Sequence, residues 1–312
     1  MSDVHFGTMV PQIKRTWDQA RDAASFFESA GFESLWVNDH LYGPTSPQIP
    51  ILEAWTQISA LAAVTENVEL GTLVTPVGMR NPAHLGKVVA TADHISNGRV
   101  IVGLGSGWMP REFTDFGMPF LEPKERLGQL REVVQLLQRM WDEDEDEVSF
   151  DGKYVQTENV VTLPKPTRRP KILIGGGGEK VTMRIAAQYA DIWNNSAGGQ
   201  DNIGHKVEIL RNHAQDLGRN PDDITVSQQC LVTIAEDESV VNPMIETAQK
   251  IFGGHMGNPG GALALSGTPN QIVDRIGQHL ELGCSMFQIE FFGKDVREPA
   301  ELFAKSVMPQ FK

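Results

Sequence analysis

Short β-rich runs alternate with amphipathic helices along almost the whole chain, and this alternation constrains its fold more than any other feature. A strand, a helix and a second strand running the same way require a parallel sheet. The runs read as strands are residues 4–10, 34–38, 68–75, 99–104, 171–174, 191–194, 224–234 and 286–292. Helical patterns separate them. Thr16 with Gln19 makes a capping box, Trp17, Ala20, Ala24 and Phe27 share one face, and Gly31 supplies the stop. After Pro123, the residues Leu127, Leu130, Val134, Leu137 and Trp141 hold one helical stripe. Further helices are predicted over about 52–64 and 82–95, from Glu179, and at Val207 to Leu217 ended by Gly218. Thr268 and Pro269 supply the cap and first turn of another, and a last helix closes the chain.

Eight βα units in 312 residues predict an α/β fold, a (β/α)8 TIM barrel, as a single domain over 1–312. Two stretches break the rhythm and are predicted as insertions. One covers about 142–170 and is strand-like, with a turn at Asp151-Gly152; the other covers about 236–266 and is irregular. An open doubly wound sheet is the alternative. It would carry a glycine fingerprint after the first strand, where this chain has Pro11-Gln12-Ile13-Lys14.

Charge narrows the partners. A formal net charge of -13 argues against non-specific nucleic-acid binding, which needs a basic surface. An anionic ligand must then be held by backbone amides and a few local cations. The acidic run Asp142 to Glu147 reads as a solvated turn. The two cysteines, Cys230 and Cys284, lack metal-like spacing, and the eight histidines show no HExxH pattern, so no metal is expected. With no apolar run of spanning length and no leader pattern, the expectation is a cytoplasmic protein that binds no membrane.

In such a fold the chemistry sits at the C-terminal ends of the strands. After the second strand comes Asn38-Asp39-His40. His40 can give or take a proton near neutral pH, and Asp39 can orient it or bond a ligand; a purely structural hydrogen bond fits the pair as well. After the third comes Thr72-Leu73-Val74-Thr75-Pro76, read locally as a strand ending at proline. After the fourth comes Gly103-Leu104-Gly105-Ser106-Gly107-Trp108, bare backbone that a flat ring can approach, or else a tight turn or small-residue packing. Trp108 either covers a ligand or packs. After the fifth comes Gly175-Gly176-Gly177-Gly178-Glu179. A glycine loop entering a helix exposes amides to an anion, and without a P-loop Lys-Ser/Thr it suits a coenzyme phosphate better than a nucleoside triphosphate; a merely flexible turn is the alternative.

Residues 70–82, Leu-Gly-Thr-Leu-Val-Thr-Pro-Val-Gly-Met-Arg-Asn-Pro, resemble the third-strand motif of luciferase-like proteins. Asp93-His94-Ile95-Ser96-Asn97-Gly98-Arg99 with Gly103 to Trp108, Ile172 to Glu179, Ala190 to Asn194, and Gly267-Thr268-Pro269 extend the resemblance over nearly the whole chain. It implies a barrel with insertions near the strand ends, a flavin-type coenzyme at its mouth, and often a homodimer. It also implies a non-proline cis peptide near Leu73-Val74, behind the coenzyme ring. Val37 to Leu41 is similar to the Asp-His element of enzymes using the deazaflavin coenzyme F420. By that resemblance His40 is the proton donor or acceptor. Asp39, Thr72, Leu73, Val74, Gly105, Ser106, Gly107 and Trp108 contact the coenzyme, and Gly176, Gly177, Gly178 and Glu179 hold its phosphate. F420-dependent glucose-6-phosphate dehydrogenases carry a glutamate where Trp108 stands, so the departure argues against a sugar phosphate. An apolar or aromatic substrate, or an enone-type acceptor, fits the tryptophan better.

The function expected is hydride transfer between F420 and a small organic molecule. An FMN-dependent two-component monooxygenase and a non-catalytic coenzyme-binding protein are the alternatives. The loops 42–50 and 255–266, rich in glycine or proline, are expected to shape the substrate pocket.

Overall fold

A computed structural model describes residues 4–43, 46–254 and 256–311; Pro44, Thr45 and His255, within the two loops expected to shape the pocket, lie outside the described residues. Eight strands form on the predicted runs: β1 (His5–Met9), β2 (Ser34–Val37), β3 (Glu69–Thr72), β4 (Val100–Gly105), β5 (Lys171–Gly175), β6 (Ile192–Asn195), β7 (Thr225–Ile234) and β8 (Met286–Phe291). Among the described residues ten α-helices connect or follow them: α1 (Trp17–Ser29), α2 (Ala54–Val64), α3 (Pro82–Ser96), α4 (Pro110–Thr114), α5 (Pro123–Trp141), α6 (Thr182–Tyr189), α7 (Ile203–Asp216), α8 (Glu238–Phe252), α9 (Pro269–Glu281) and α10 (Arg297–Ser306). Every one of the eight strands is followed by a helix, and the sheet is parallel, the order of a (β/α)8 barrel.

The chain divides into two compact units, the first made of residues 1–10, 22–36 and 175–312, the second of 11–21 and 37–174. In the first, β1 lies between β2 and β8, β8 pairs with β7, and β7 with β6, all parallel. One face of this sheet is aromatic. Phe6 stacks on Phe287 at 5.9 Å between centroids and meets Phe303 edge-on at 5.5 Å. The alternate positions are polar and partly bonded to one another: Asn194 Nδ2 donates to Ser227 Oγ at 3.1 Å and to Gln288 Oε1 at 2.9 Å, while Gln288 Nε2 has no partner among the described residues. Buried amides and hydroxyls of this kind are tolerated when bonded.

In the second unit β4 lies between β3 and β5, again parallel. The stripe predicted on α5 buries Leu130, Val134, Leu137 and Trp141. Gly86 on α3 permits close packing, since a Cβ there would come within 2.6 Å of Met140 Cε. The segment Asp93 to Arg99 proves to be a structural clamp. Asn97 ends α3 with φ 58°, and the Arg99 guanidinium donates to the carbonyls of Ala62, Thr65, Val68 and Ser96. These bonds tie the end of α2 to the start of β4, the stability end of a barrel strand.

Several boundaries differ from the sequence reading. The run 68–75 is two strands, β3 and the pair Thr75–Pro76, separated by the Leu73–Val74 peptide, which is cis as the resemblance implied. The helix expected from Glu179 starts at Thr182, because 179–181 form a turn. The 142–170 stretch contains a hairpin, Val148–Asp151 with Gln156–Val160, turning at Gly152. The 236–266 stretch is not irregular throughout, since it contains the fifteen-residue helix α8. In the acidic run, Glu145 is bound by the Arg139 guanidinium, and Asp142, Glu143, Asp144, Asp146 and Glu147 are exposed.

Candidate functional site

The end of β2 is fixed before it reaches its functional residues. Gln12, 3% exposed, accepts from Asn38 N at 2.7 Å and returns its own amide to Asn38 O at 2.9 Å. The next residue, Asp39, is 1% exposed. Arg80 grips its carboxylate in bidentate fashion at 2.7 and 2.9 Å, and Thr75 Oγ1 donates to it at 2.7 Å. Arg80 also reaches Glu53 at 2.5 Å, and Trp55 Nε1 donates to Thr75 Oγ1 at 2.9 Å. The coenzyme contact expected of Asp39 therefore finds no free carboxylate: the group is buried and spent on Arg80. Its evident work is to hold the Thr75–Arg80 segment against the β2 end. A two-point guanidinium–carboxylate contact gives that geometry well.

Beyond Asp39 the chain turns and His40 projects with 26% of its side chain exposed. Its Nδ1 meets both oxygens of Glu112, Oε2 at 2.8 Å and Oε1 at 3.0 Å. Glu112 is 1% exposed on the one-and-a-bit turns of α4, and its Oε1 also accepts from Leu41 N at 2.7 Å and Tyr42 N at 3.2 Å. Burial pushes the Glu112 carboxyl up, but His40 and the two amides together outweigh that and leave it below the ordinary carboxylate range. Asp115, just past α4, accepts from Tyr42 Oη at 3.1 Å. Trp108, 55% exposed, stands edge-on to the imidazole with centroids 5.7 Å apart. Its exposure beside His40 excludes it from the core, one of the two roles the sequence left open.

The remaining residues of the β3 and β4 ends divide by burial. Thr72 is wholly buried, its hydroxyl spent on Gly103 O at 3.0 Å, so its side chain offers a ligand nothing. Leu73 is 7% exposed, whereas Val74 keeps a partly open surface. Gly105 is buried, and Ser106 and Gly107 are half-buried. At Gly103 the small-residue packing that the sequence left open is what occurs: a Cβ there would lie 1.8 Å from the Thr72 carbonyl oxygen. Gly107 has φ +78°, a Cβ on it would touch the Phe113 ring at 2.8 Å, and its carbonyl accepts from Arg126 Nη1 at 2.6 Å. Val74, Ser106, Gly107, Trp108 and His40 are thus the predicted residues of this unit with surface to offer.

In the other unit, the glycine loop after β5 is an open cradle. Gly176 adopts φ +122° and spends its amide on Asn194 O at 3.2 Å, which removes it from the expected donors. The amides of Gly177, Gly178 and Glu179 donate to no described residue. Lys206 on α7 adds a cation the sequence reading missed. Its Nζ donates to Gly177 O at 2.9 Å and to Glu179 Oε1 at 2.6 Å, and only 15% of the side chain is exposed. Unspent amides beside an ammonium suit a phosphate, so these residues fit the tail of a phosphate-bearing coenzyme. Glu179 brings a carboxylate to the same ammonium, so its amide suits the anion and its side chain competes with it. Among the described residues no cluster of three or more metal-ligating side chains occurs, and no helix is long and apolar enough to cross a membrane. Cys230 and Cys284 are free and buried.

Three residues that matter here were not legible as site residues. Glu112 and Lys206 carry no local motif. Arg80 lay inside the recognised third-strand segment without a role. Pro110 followed by Glu112, a helix-opening proline with an acid in the first turn, was the available signal for α4.

The model of the luciferase-like monooxygenase family matches residues 2–254, and the chain belongs to that family. It is 26% identical to an F420-dependent glucose-6-phosphate dehydrogenase of Intrasporangium calvum over 90% of this chain and 91% of the relative. It is also 26% identical to an FMNH(2)-dependent dimethylsulfone monooxygenase of Pseudomonas putida, over 98% of this chain and 92% of the relative. Among solved structures, the coenzyme F420-dependent tetrahydromethanopterin reductase of Methanopyrus kandleri superposes with a TM-score of 0.81 at 22% identity, covering all of both chains. That likeness shows the fold, a (β/α)8 barrel.

Proposed function

We propose that this oxidoreductase uses coenzyme F420 to move a hydride to or from a small organic substrate, with His40 handling the accompanying proton. The observation that carries the reading is the imidazole of His40, partly open to solvent at the end of β2 and supported on its other side by a buried carboxylate. When bound, the coenzyme supplies the hydride-carrying ring, and the protein supplies position and electrostatics. Val74, Ser106 and Gly107 would face the ring. In the other unit, the amides of Gly177, Gly178 and Glu179 with Lys206 suit a phosphate. Trp108 beside His40 favours an apolar or aromatic substrate over a phosphorylated sugar. The F420-dependent relative, similar over 90% of this chain, supports the choice of coenzyme.

A second reading, an FMN-dependent monooxygenase, is favoured by the similarity to the dimethylsulfone enzyme over 98% of this chain. Titrating the purified protein with oxidised F420 and with FMN separates the two. The expected result is F420 binding at least about tenfold tighter, a difference of about 1.4 kcal/mol. Binding of FMN with none of F420 would transfer the assignment to the monooxygenase reading.

A further inference from the structure

The pair His40–Glu112 joins the ends of two different strands, and only one of the two residues is exposed. Glu112 comes from α4, beyond β4, and His40 from the loop after β2, 72 positions earlier. A carboxylate can only accept hydrogen bonds, and a neutral imidazole has one N–H. With Nδ1 at 2.8 and 3.0 Å from the two carboxylate oxygens, the ring proton belongs on Nδ1. Nε2 is then the atom left with a lone pair. The Leu41 and Tyr42 amides hold the carboxylate in place, so the chain segment that carries His40 also orients its partner.

We infer that Glu112 is the positioning residue of the reaction: it fixes the tautomer of His40, aims Nε2 at the substrate, and stabilises the imidazolium formed when Nε2 takes a proton. This rests on the reading of His40 as the proton-handling group. In the oxidative direction, a substrate hydroxyl proton would pass to Nε2, and the coenzyme, when bound, would supply the acceptor for the hydride released from the same carbon. The Nδ1 proton stays where it is, and the new positive charge is met by the Glu112 anion 2.8 Å away. In the reductive direction the same proton returns from Nε2. The charged groups packed about the pair are the imidazole, the Glu112 carboxylate, and, through Tyr42, Asp115 with its Arg111 partner at 2.9 Å. Trp108 shares the β4 end with α4, so one loop supplies both the support of His40 and the wall beside it.

Glu112→Gln is the informative substitution. The amide oxygen can still accept from Leu41 N and Tyr42 N, but the NH2 now faces Nδ1 and donates to it. That reverses the tautomer with little change of shape. Nitrogen NMR of the histidine-labelled, ligand-free protein, at a pH where the ring is neutral, reads this directly. Wild type is expected to show Nδ1–H and a bare Nε2, and Glu112→Gln the opposite. Turnover with the coenzyme that binds is expected to fall about 10²- to 10⁴-fold in kcat, with coenzyme affinity little changed. A wild-type ring protonated on Nε2 overturns the inference without any variant, and so does a Glu112→Gln protein with wild-type kcat. His40→Ala provides the control: if it retains full turnover, the reading of His40 itself is what fails. If Glu112→Gln does not fold, the wild-type tautomer alone decides.

Discussion

A histidine can shuttle a proton only when one ring nitrogen is free and the other is spoken for. His40 meets both conditions, and its partner is so thoroughly buried that the pair has a fixed direction. Replacing His40 by alanine removes the proton carrier but touches neither the glycine loop nor Val74. The expected outcome is a loss of about 10²- to 10⁴-fold in kcat with coenzyme affinity within a few-fold of wild type, measured by steady-state kinetics and a binding titration. Loss of binding in step with turnover would instead make the residue part of the coenzyme's seat. At this scale the sequence showed the exposed half of the site and missed its buried half. Asp39-His40 is a local pair at a strand end. Arg80 and Glu112 reach it from 41 and 72 positions away, and nothing local marks a carboxylate as the partner of a distant imidazole.

Elements were legible where period and caps agreed. The Thr16–Gln19 capping box is present, with Gln19 N to Thr16 Oγ1 at 3.3 Å and Thr16 N to Gln19 Oε1 at 3.1 Å, and α9 opens with the same device at Thr268 and Gln271. The helix α8 is not legible in the sequence because Pro243 interrupts its pattern and Val240 and Ile251 lie exposed, which blurs the apolar stripe. The short α4 falls below the length at which periodicity can be seen at all. The glycines of β4 are legible, but which of them serves packing is not: at Gly103 the demand comes from the neighbouring strand. Gly103→Ala puts a methyl carbon against the Thr72 carbonyl, a backbone atom that cannot swing aside. Overpacking of this kind costs about 1–3 kcal/mol or more. A lowered melting temperature is expected by circular dichroism, together with weaker coenzyme binding, because the same methyl would lie 3.2 Å from Val74 Cγ1. Unchanged stability would mean that β3 yields freely at this point.

Over the whole molecule, charge and ligand are at odds. A chain of net charge -13 repels an anionic coenzyme at long range. The ammonium seated on the glycine loop is already matched, since Lys206 Nζ sits 2.6 Å from the Glu179 carboxylate. Close to the site, then, the pull comes from amides and one neutralised ammonium, while the far field is repulsive. Salt acts on these two terms differently. The screening length falls from about 30 Å at about 0.01 M salt to about 8 Å at about 0.15 M. Short contacts inside the cradle lie within either length, but the summed repulsion of the distant carboxylates lies largely outside the shorter one. The association rate of F420, followed by stopped flow, should therefore rise with salt over that range, by about two- to tenfold. Its dissociation rate should change less, and Lys206→Ala should act mainly on dissociation. An association rate that falls as salt is added would show that an attractive field reaches beyond the cradle, and that cations other than Lys206 guide the coenzyme in.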